Sequence, residues 1–292
     1  MERIDIRANG RRFEVLAAGP SDGPLVVFLH GFPELNLTWR HQLEALAEIG
    51  YRAVAPNQRG YGKSDRFGPY DPFALSDDVA AIIRKLGYEC AVVVGHDWGG
   101  GVAWTVAMRH PEVVSKLIVM NCPPMAVHAM DLIRNPGQLR KSSYMLYFQI
   151  PRIPERALSK NSAEKVVTSL IAGSRIRSAW EPVEIEATKV AFGTPGGLSG
   201  PLGWYRALFR NPRQLRALAK LKVTAPTLVI WGMQDRFLGS ELVAPDKLER
   251  VMAPGRVAEF VPLPESGHFV QVEVSDQVNA ELVRWLGPAN AN

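Results

Sequence analysis

The sequence predicts an α/β protein with a mostly parallel sheet, helices on both faces and a helical insertion, and three observations carry that reading. Short apolar runs rich in Val, Ile and Leu recur along the chain, helix-period patterns separate them, and the alternation breaks only between Cys122 and Leu221. Continuous apolar runs suit strands buried on both faces of a parallel sheet. Strand–helix alternation implies right-handed crossovers, which put helices on both sides.

Taken in order, Arg3 to Ala8 and Phe13 to Ala17, split by Asn9-Gly10, form an antiparallel hairpin at the sheet edge. The buried strands are then Leu25 to Leu29, Tyr51 to Ala55, Ala91 to Val94, Lys116 to Met120, Thr227 to Trp231 and Val257 to Val261. Helical patterns lie between them: Leu43, Leu46 and Ala47 behind a Thr38 cap; Val79, Ile82, Ile83 and Leu86 stopped by Gly87; and Val278, Leu282, Trp285 and Leu286 near the end. The middle stretch has helix-like segments at Ser162 to Ala172 and Pro201 to Leu208, punctuated by Pro136, Pro151, Pro154, Pro195 and Pro201. It reads as a cap over the carboxyl ends of the strands, where open parallel sheets bind ligands. The expected organisation is a core of residues 1–122 and 218–292 with a helical cap of residues 123–217.

Composition bounds the function. The 292 residues are 47% hydrophobic and 22% charged, enough for one sizeable core plus an insertion. The first residues lack the apolar stretch of a signal peptide and no run reaches the length of a membrane span, so a cytoplasmic protein with no integral membrane segment is expected. Cys90 and Cys122 each sit beside an apolar run and are expected as buried, reduced thiols rather than a disulfide or metal pair. The net charge is +5, and its excess lies in Pro123 to Arg216, dispersed among apolar residues. That pattern suits a solvated helical surface and argues against a nucleic-acid partner.

The chemistry starts at Gly95-His96-Asp97-Trp98-Gly99, directly after a predicted strand. This is the strand–turn–helix pattern that exposes a nucleophile, with Asp where a Ser usually stands. A carboxylate is already anionic at neutral pH and can displace a leaving group from saturated carbon, leaving an ester that water must cleave. An isolated Asp here would be read as a helix N-cap; the flanking glycines and the residues that follow favour the nucleophile. His30-Gly31-Phe32-Pro33, after the strand Leu25 to Leu29, is placed to supply one oxyanion-hole N–H at Phe32, with the other from Trp98. Asp235, in Trp231-Gly232-Met233-Gln234-Asp235, leaves the end of another strand, and His268, in Glu265-Ser266-Gly267-His268-Phe269, opens the final helix. In the order nucleophile, acid, histidine, Asp235 orients His268 to draw a proton from water.

The runs HGFPELNLTWRHQ at His30 to Gln42, RGYGKSD at Arg59 to Asp65, GHDWGGGVAW, WGMQD and SGHFVQVE together resemble the soluble epoxide hydrolases of the α/β-hydrolase superfamily over essentially the whole chain. Within the cap, Tyr144 to Gln149 (YMLYFQ) and Gly200 to Arg206 (GPLGWYR) resemble the two tyrosine motifs of that family. The resemblance implies an α/β-hydrolase fold and an enzyme that opens an epoxide to a vicinal diol through an ester on Asp97. Tyr144 and Tyr205 would donate to the epoxide oxygen, with Tyr147 less suited, and a pocket would be walled by Phe32, Trp98, Tyr147, Phe148, Trp180, Trp204 and Phe269. It implies a small-molecule epoxide and water as partners, a monomer or homodimer, and no cofactor; no His or Cys cluster has metal-ligand spacing.

A haloalkane or haloacid dehalogenase uses the same Asp nucleophile and is the alternative, with Trp98 as a halide donor. Phe32 stands where many of those enzymes place a polar halide ligand, paired cap tyrosines have no task there, and the Arg that follows the nucleophile in the haloacid branch is absent. A Ser esterase lacks its Ser, and a catalytically silent binding protein would not need the complete set of positions.

Overall fold

In the computed structural model, which describes residues 1–289, the apolar runs become β1 (Glu2–Ala8), β2 (Arg11–Ala18), β3 (Leu25–Leu29), β4 (Arg52–Pro56), β5 (Ala91–His96), β6 (Val114–Met120), β7 (Thr227–Gly232) and β8 (Ala258–Leu263). They form one sheet in the order β1-β2-β4-β3-β5-β6-β7-β8. The β1–β2 hairpin is antiparallel, β2 pairs antiparallel with β4, and the remaining neighbours are parallel. Every residue of β3, β5 and β7 is buried, as coverage on both faces requires. Successive side chains alternate between two cores. Val27, Val93 and Leu117 face Ile82, Ile83, Val102 and Val106, whereas Val26, Phe28, Val94 and Ile118 face Leu43, Leu46, Val278 and Leu282.

Four expectations need correction. The last strand runs Ala258–Leu263 and is largely exposed rather than buried on both faces, because it is the sheet's outer edge with a strand on one side only. Cys90 is exposed, since it lies just before β5 begins; Cys122 is buried. Thr38 does not cap the helix Arg40–Glu48: it sits inside the turn Asn36–Trp39 and its hydroxyl donates to Glu34 Oε1 at 2.7 Å. His268 precedes a one-turn helix, Val270–Glu273, and only then does the final helix Ser275–Leu286 start.

Between β6 and β7 the described residues form only helices and turns, from the helix Met125–Arg134 to the helix Pro212–Leu218. This helical layer is fastened to the sheet layer by polar contacts. Arg40 is buried and reaches Glu184 at 2.6 Å and Glu181 at 3.1 Å, on the helix Pro182–Gly193 and its cap. The Trp204 indole donates to Arg59 O at 3.0 Å. No described helix is long and apolar enough to cross a membrane.

Candidate active site

Asp97 occupies the turn between β5 and the helix Trp98–Arg109 with φ 49° and ψ −123°. A non-glycine residue in such a conformation costs about 1–3 kcal/mol and persists only where its surroundings enforce it. Here they do so by close approach. A methyl group on Gly99 would lie 2.0 Å from Leu29 O, and one on Gly95 would lie 2.3 Å from Gly99 O, so only glycine admits the crossing of β3, β5 and the helix. The Asp97 side chain makes no capping bond to that helix, so the N-cap reading fails. Its Oδ1 instead accepts from the Phe32 N–H at 2.9 Å, and its Oδ2 stands 3.5 Å from His268 Nε2.

His268 is held from its other side. Its Nδ1 lies 2.7 Å from Asp235 Oδ2, which also accepts from Asn121 Nδ2 at 2.7 Å; Asp235 Oδ1 accepts from the Phe237 and Leu238 N–H groups at 2.7 and 3.0 Å. Burial works against both carboxylates, but interactions with His268 and the hydrogen bonds outweigh it and hold Asp97 and Asp235 below the ordinary Asp range. Burial also disfavours the His268 cation, yet two flanking carboxylates win and push its pKa well above the usual value. The two carboxylates thus favour a protonated imidazole between them.

The cap closes this site from above. Tyr144 opens the short helix Tyr144–Tyr147 and Tyr205 lies on the helix Ser199–Arg210; their rings stand 6.0 Å apart, edge to face. Burial, then the charge of Asp97 nearby, raises the Tyr144 pKa; burial, then the neighbouring Tyr144 and Asp97, raises that of Tyr205, so both phenols keep their protons. Two adjoining cavities share Asp97, Tyr144 and Tyr205 in their walls. One, of about 200 Å³, is apolar and bounded by Phe32, Phe148, Leu158, Val166, Phe237 and Phe269 as well as His268. The other, of about 40 Å³, is bounded by Trp98, Cys122, Met125, His128, Met145 and Leu208. A larger hollow of about 870 Å³ beside β8 has neither a nucleophile–base pair nor a buried acid in its walls, only exposed charges such as Lys222 and Arg256.

Residues 24–274 match the model of the α/β-hydrolase fold family. The chain belongs to that family. This α/β-hydrolase is 37% identical to the AB hydrolase superfamily protein YfhM of Bacillus subtilis, over 96% of each chain. It is 37% identical to Epoxide hydrolase 4 of Mus musculus over 97% of this chain and 78% of that one, and 31% identical to Epoxide hydrolase A of Mycobacterium tuberculosis over 98% and 97%. Among solved structures, Epoxide Hydrolase A from Mycobacterium thermoresistibile superposes with TM-score 0.84 at 29% identity, covering 98% of both chains. The epoxide hydrolase from Bacillus megaterium gives 0.85 at 28% identity, covering 97% of this chain and 99% of that one. The protein is thus an epoxide-hydrolase-like α/β-hydrolase.

Most positions singled out in the sequence of this α/β-hydrolase converge on one place. Asp97, His268, Asp235, Tyr144, Tyr205, Phe32, Trp98, Phe148 and Phe269 all meet there. Three aromatic residues expected in the pocket wall do not bound either cavity. Tyr147 is 38% exposed on the outer side of its short helix. Trp180 is buried in a separate cluster with Leu170 and Phe269, its indole donating to Ser174 Oγ at 2.7 Å. Trp204 lies behind Trp98, tied to Arg59 O. The Trp98 backbone N–H takes no partner among the described residues, as befits the free first turn of a helix.

The sequence reading missed the supports. Glu34 is wholly buried, accepts from Gly31 N–H at 2.9 Å and lies 2.7 Å from His96 Nδ1; His96 Nε2 in turn meets His268 O at 2.8 Å. That chain ties the Phe32 loop to the backbone of His268. Asn121, at φ 43° beyond β6, orients Asp235 and also accepts from Gly232 N–H at 2.9 Å. The position of Glu34 directly behind His-Gly-Phe-Pro was its one visible signal; Asn121 had only its place after a strand.

Proposed function

We propose that this α/β-hydrolase opens epoxides to vicinal diols through a covalent ester on Asp97. The observation that carries the reading is the opposition of one carboxylate and two protonated phenols across an apolar cavity, with a buried His–Asp pair behind the carboxylate. In the first half-reaction Asp97 Oδ2 attacks an epoxide carbon, the C–O bond breaks, Tyr144 and Tyr205 both donate hydrogen bonds to the developing alkoxide, and one of them gives it a proton and is left as a phenolate. Oδ1 stays against the Phe32 N–H.

Alkylation then changes the electrostatics. An ester carries no charge, so one of the two carboxylates that hold the proton on His268 vanishes from 3.5 Å away and the imidazole pKa falls. The phenolate left by ring opening takes up the proton that His268 releases, so the phenol is restored and the imidazole is neutral at the step that needs a base. His268, oriented by Asp235, draws a proton from water, which attacks the Asp97 carbonyl carbon. The oxyanion forms on the oxygen held by Phe32 N–H, beside the unpaired Trp98 N–H, and its collapse releases the diol and restores the carboxylate.

The test is a single turnover of styrene oxide in heavy-oxygen water. The diol from that turnover is expected unlabelled, with label in the peptide that contains Asp97, because the incoming oxygen enters the carboxylate first. Label in the first diol rules out the ester, and halide release from a haloalkane without diol release from any epoxide replaces the reading with a dehalogenase.

A further inference from the structure

The smaller cavity contains a titratable group that neither half-reaction uses. His128 lies on the helix Met125–Arg134, and its ring bounds the cavity together with Asp97, Tyr144 and Tyr205. Apart from the Trp98 indole, the other side chains there are apolar or sulfur-bearing: Pro123, Met125, Met145, Leu208, Leu238 and Cys122, whose thiol bonds to Pro123 O. The residue is partly exposed, and a substituent that fills the cavity and displaces water from the ring strands a polar group unless it bonds to it. The protein offers little. The one contact among the described residues is Ser142 Oγ, 3.5 Å from Nε2 and itself already taking the Gln138 amide at 2.8 Å; Nδ1 has none. Asp131, one turn along the same helix, is engaged by Lys247 at 2.5 Å. Burial lowers the His128 pKa to about 4, so the ring is neutral at physiological pH and presents one donor and one acceptor.

The two cavities also differ in what fits. The larger holds an aryl or alkyl group, while the smaller, about 40 Å³, holds a substituent of a few heavy atoms on the other epoxide carbon. We propose that His128 makes the smaller cavity a subsite for an oxygen-bearing substituent, so that the preferred substrates are 2,3-epoxy alcohols and their ethers with an apolar group on the far carbon. The subsite rests on the epoxide hydrolase reading above. A hydroxymethyl group replaces the water displaced from the imidazole with a hydrogen bond of its own, whereas a methyl group in its place displaces that water and gives the ring no partner.

The probes are trans-3-phenylglycidol and trans-β-methylstyrene oxide, which share a skeleton and differ by one hydroxyl. The ratio of their kcat/KM values is measured in the wild type, His128→Phe and His128→Gln. One net hydrogen bond corresponds to about a 3- to 10-fold preference. His128→Phe is expected to lower the alcohol-to-hydrocarbon ratio by that factor, and His128→Gln, which keeps a donor and an acceptor, to retain most of it. An unchanged ratio in the Phe variant, or an equal fall in both variants, overturns the subsite while leaving epoxide opening intact. Failure of the wild type to open any epoxide removes the reaction and the subsite together. If the Phe variant does not fold, the wild type decides alone: the KM of the alcohol is expected about 3- to 10-fold below that of the hydrocarbon, and equal values overturn the proposal.

Discussion

Replacing His268 with Gln separates the two half-reactions. The variant loses the Nε2 that stands 3.5 Å from Asp97 and with it the main counterweight to burial, so the Asp97 pKa rises; the Phe32 N–H still favours the anion, and mixing at pH 8 rather than neutrality keeps it. Alkylation therefore continues, while hydrolysis loses a general base that is worth about 10²–10⁴-fold. If the two steps are matched in the wild type, a hundredfold loss in the second raises the esterified fraction at saturation from about one half to about 99%. The fold tolerates the change, because Asp235 retains Asn121 and the Phe237 and Leu238 N–H groups. The cost is one charge-assisted bond, about 1.5–3 kcal/mol. Intact-protein mass spectrometry after mixing with styrene oxide is expected to show nearly every molecule heavier by one epoxide, and peptide mapping to place the increment on Asp97. Near-normal turnover without an adduct refutes the assignment of His268 as the base.

Other expectations follow from the same geometry. Tyr144→Phe and Tyr205→Phe are each expected to slow ring opening about 10- to 1,000-fold, read as single-turnover alkylation rates, with the double change nearly abolishing it; a double variant of full activity refutes the donor role. Lowering the pH shifts His268 of the ester form toward its protonated, inactive state, whereas free Asp97, held below its ordinary range, is less affected. Quenched-flow samples should then hold more ester at pH 5 than at pH 8, and less ester at the lower pH counts against this sign. At the alkaline end both phenol pKa values are raised above 10, so ring opening should not fall between pH 8 and pH 10. Gly99→Ala forces a methyl group to within 2.0 Å of a backbone oxygen that no side-chain rotation can clear. A destabilisation of about 3 kcal/mol or more is expected by denaturant titration, and wild-type stability would contradict the close-crossing account.

The parts of the site that the sequence disclosed are those fixed by local turn chemistry. Asp97 between Gly95 and Gly99, Phe32 behind His30-Gly31, and Asp235 and His268 beyond their strands each sit where a strand ends at the ligand face, so order along the chain suffices to find them. The misplacements have a different origin. An apolar run such as Val257 to Val261 has the same composition whether neighbours cover it on two sides or one, and only the strand order makes β8 an edge. Trp180 and Trp204 are large aromatics in the right segment, but their indole N–H groups had to be satisfied, and Ser174 and Arg59 O draw them away from the cavity. Glu34, His96 and Asn121 escaped notice because a buried polar residue acquires its role from partners distant in sequence.

The insertion point of the cap has a consequence for synthesis. Strands β1 to β6 are contiguous in the sheet and all precede the cap, whereas β7 pairs with β6 only after the long helical segment has been made. At about 5–20 residues per second, the roughly one hundred residues between them occupy the ribosome for about 5–20 s. Throughout that interval the β6 edge from Leu117 to Met120, apolar and flat, faces the surrounding solution with its amides unmatched. The nascent chain also carries Asp97, the proposed nucleophile, in that period without Asp235 and His268, which follow the helical segment. In the proposed mechanism reactivity thus waits until β7 and β8 have been made, and the half-made sheet, rather than the completed one, is the form open to association through its edge.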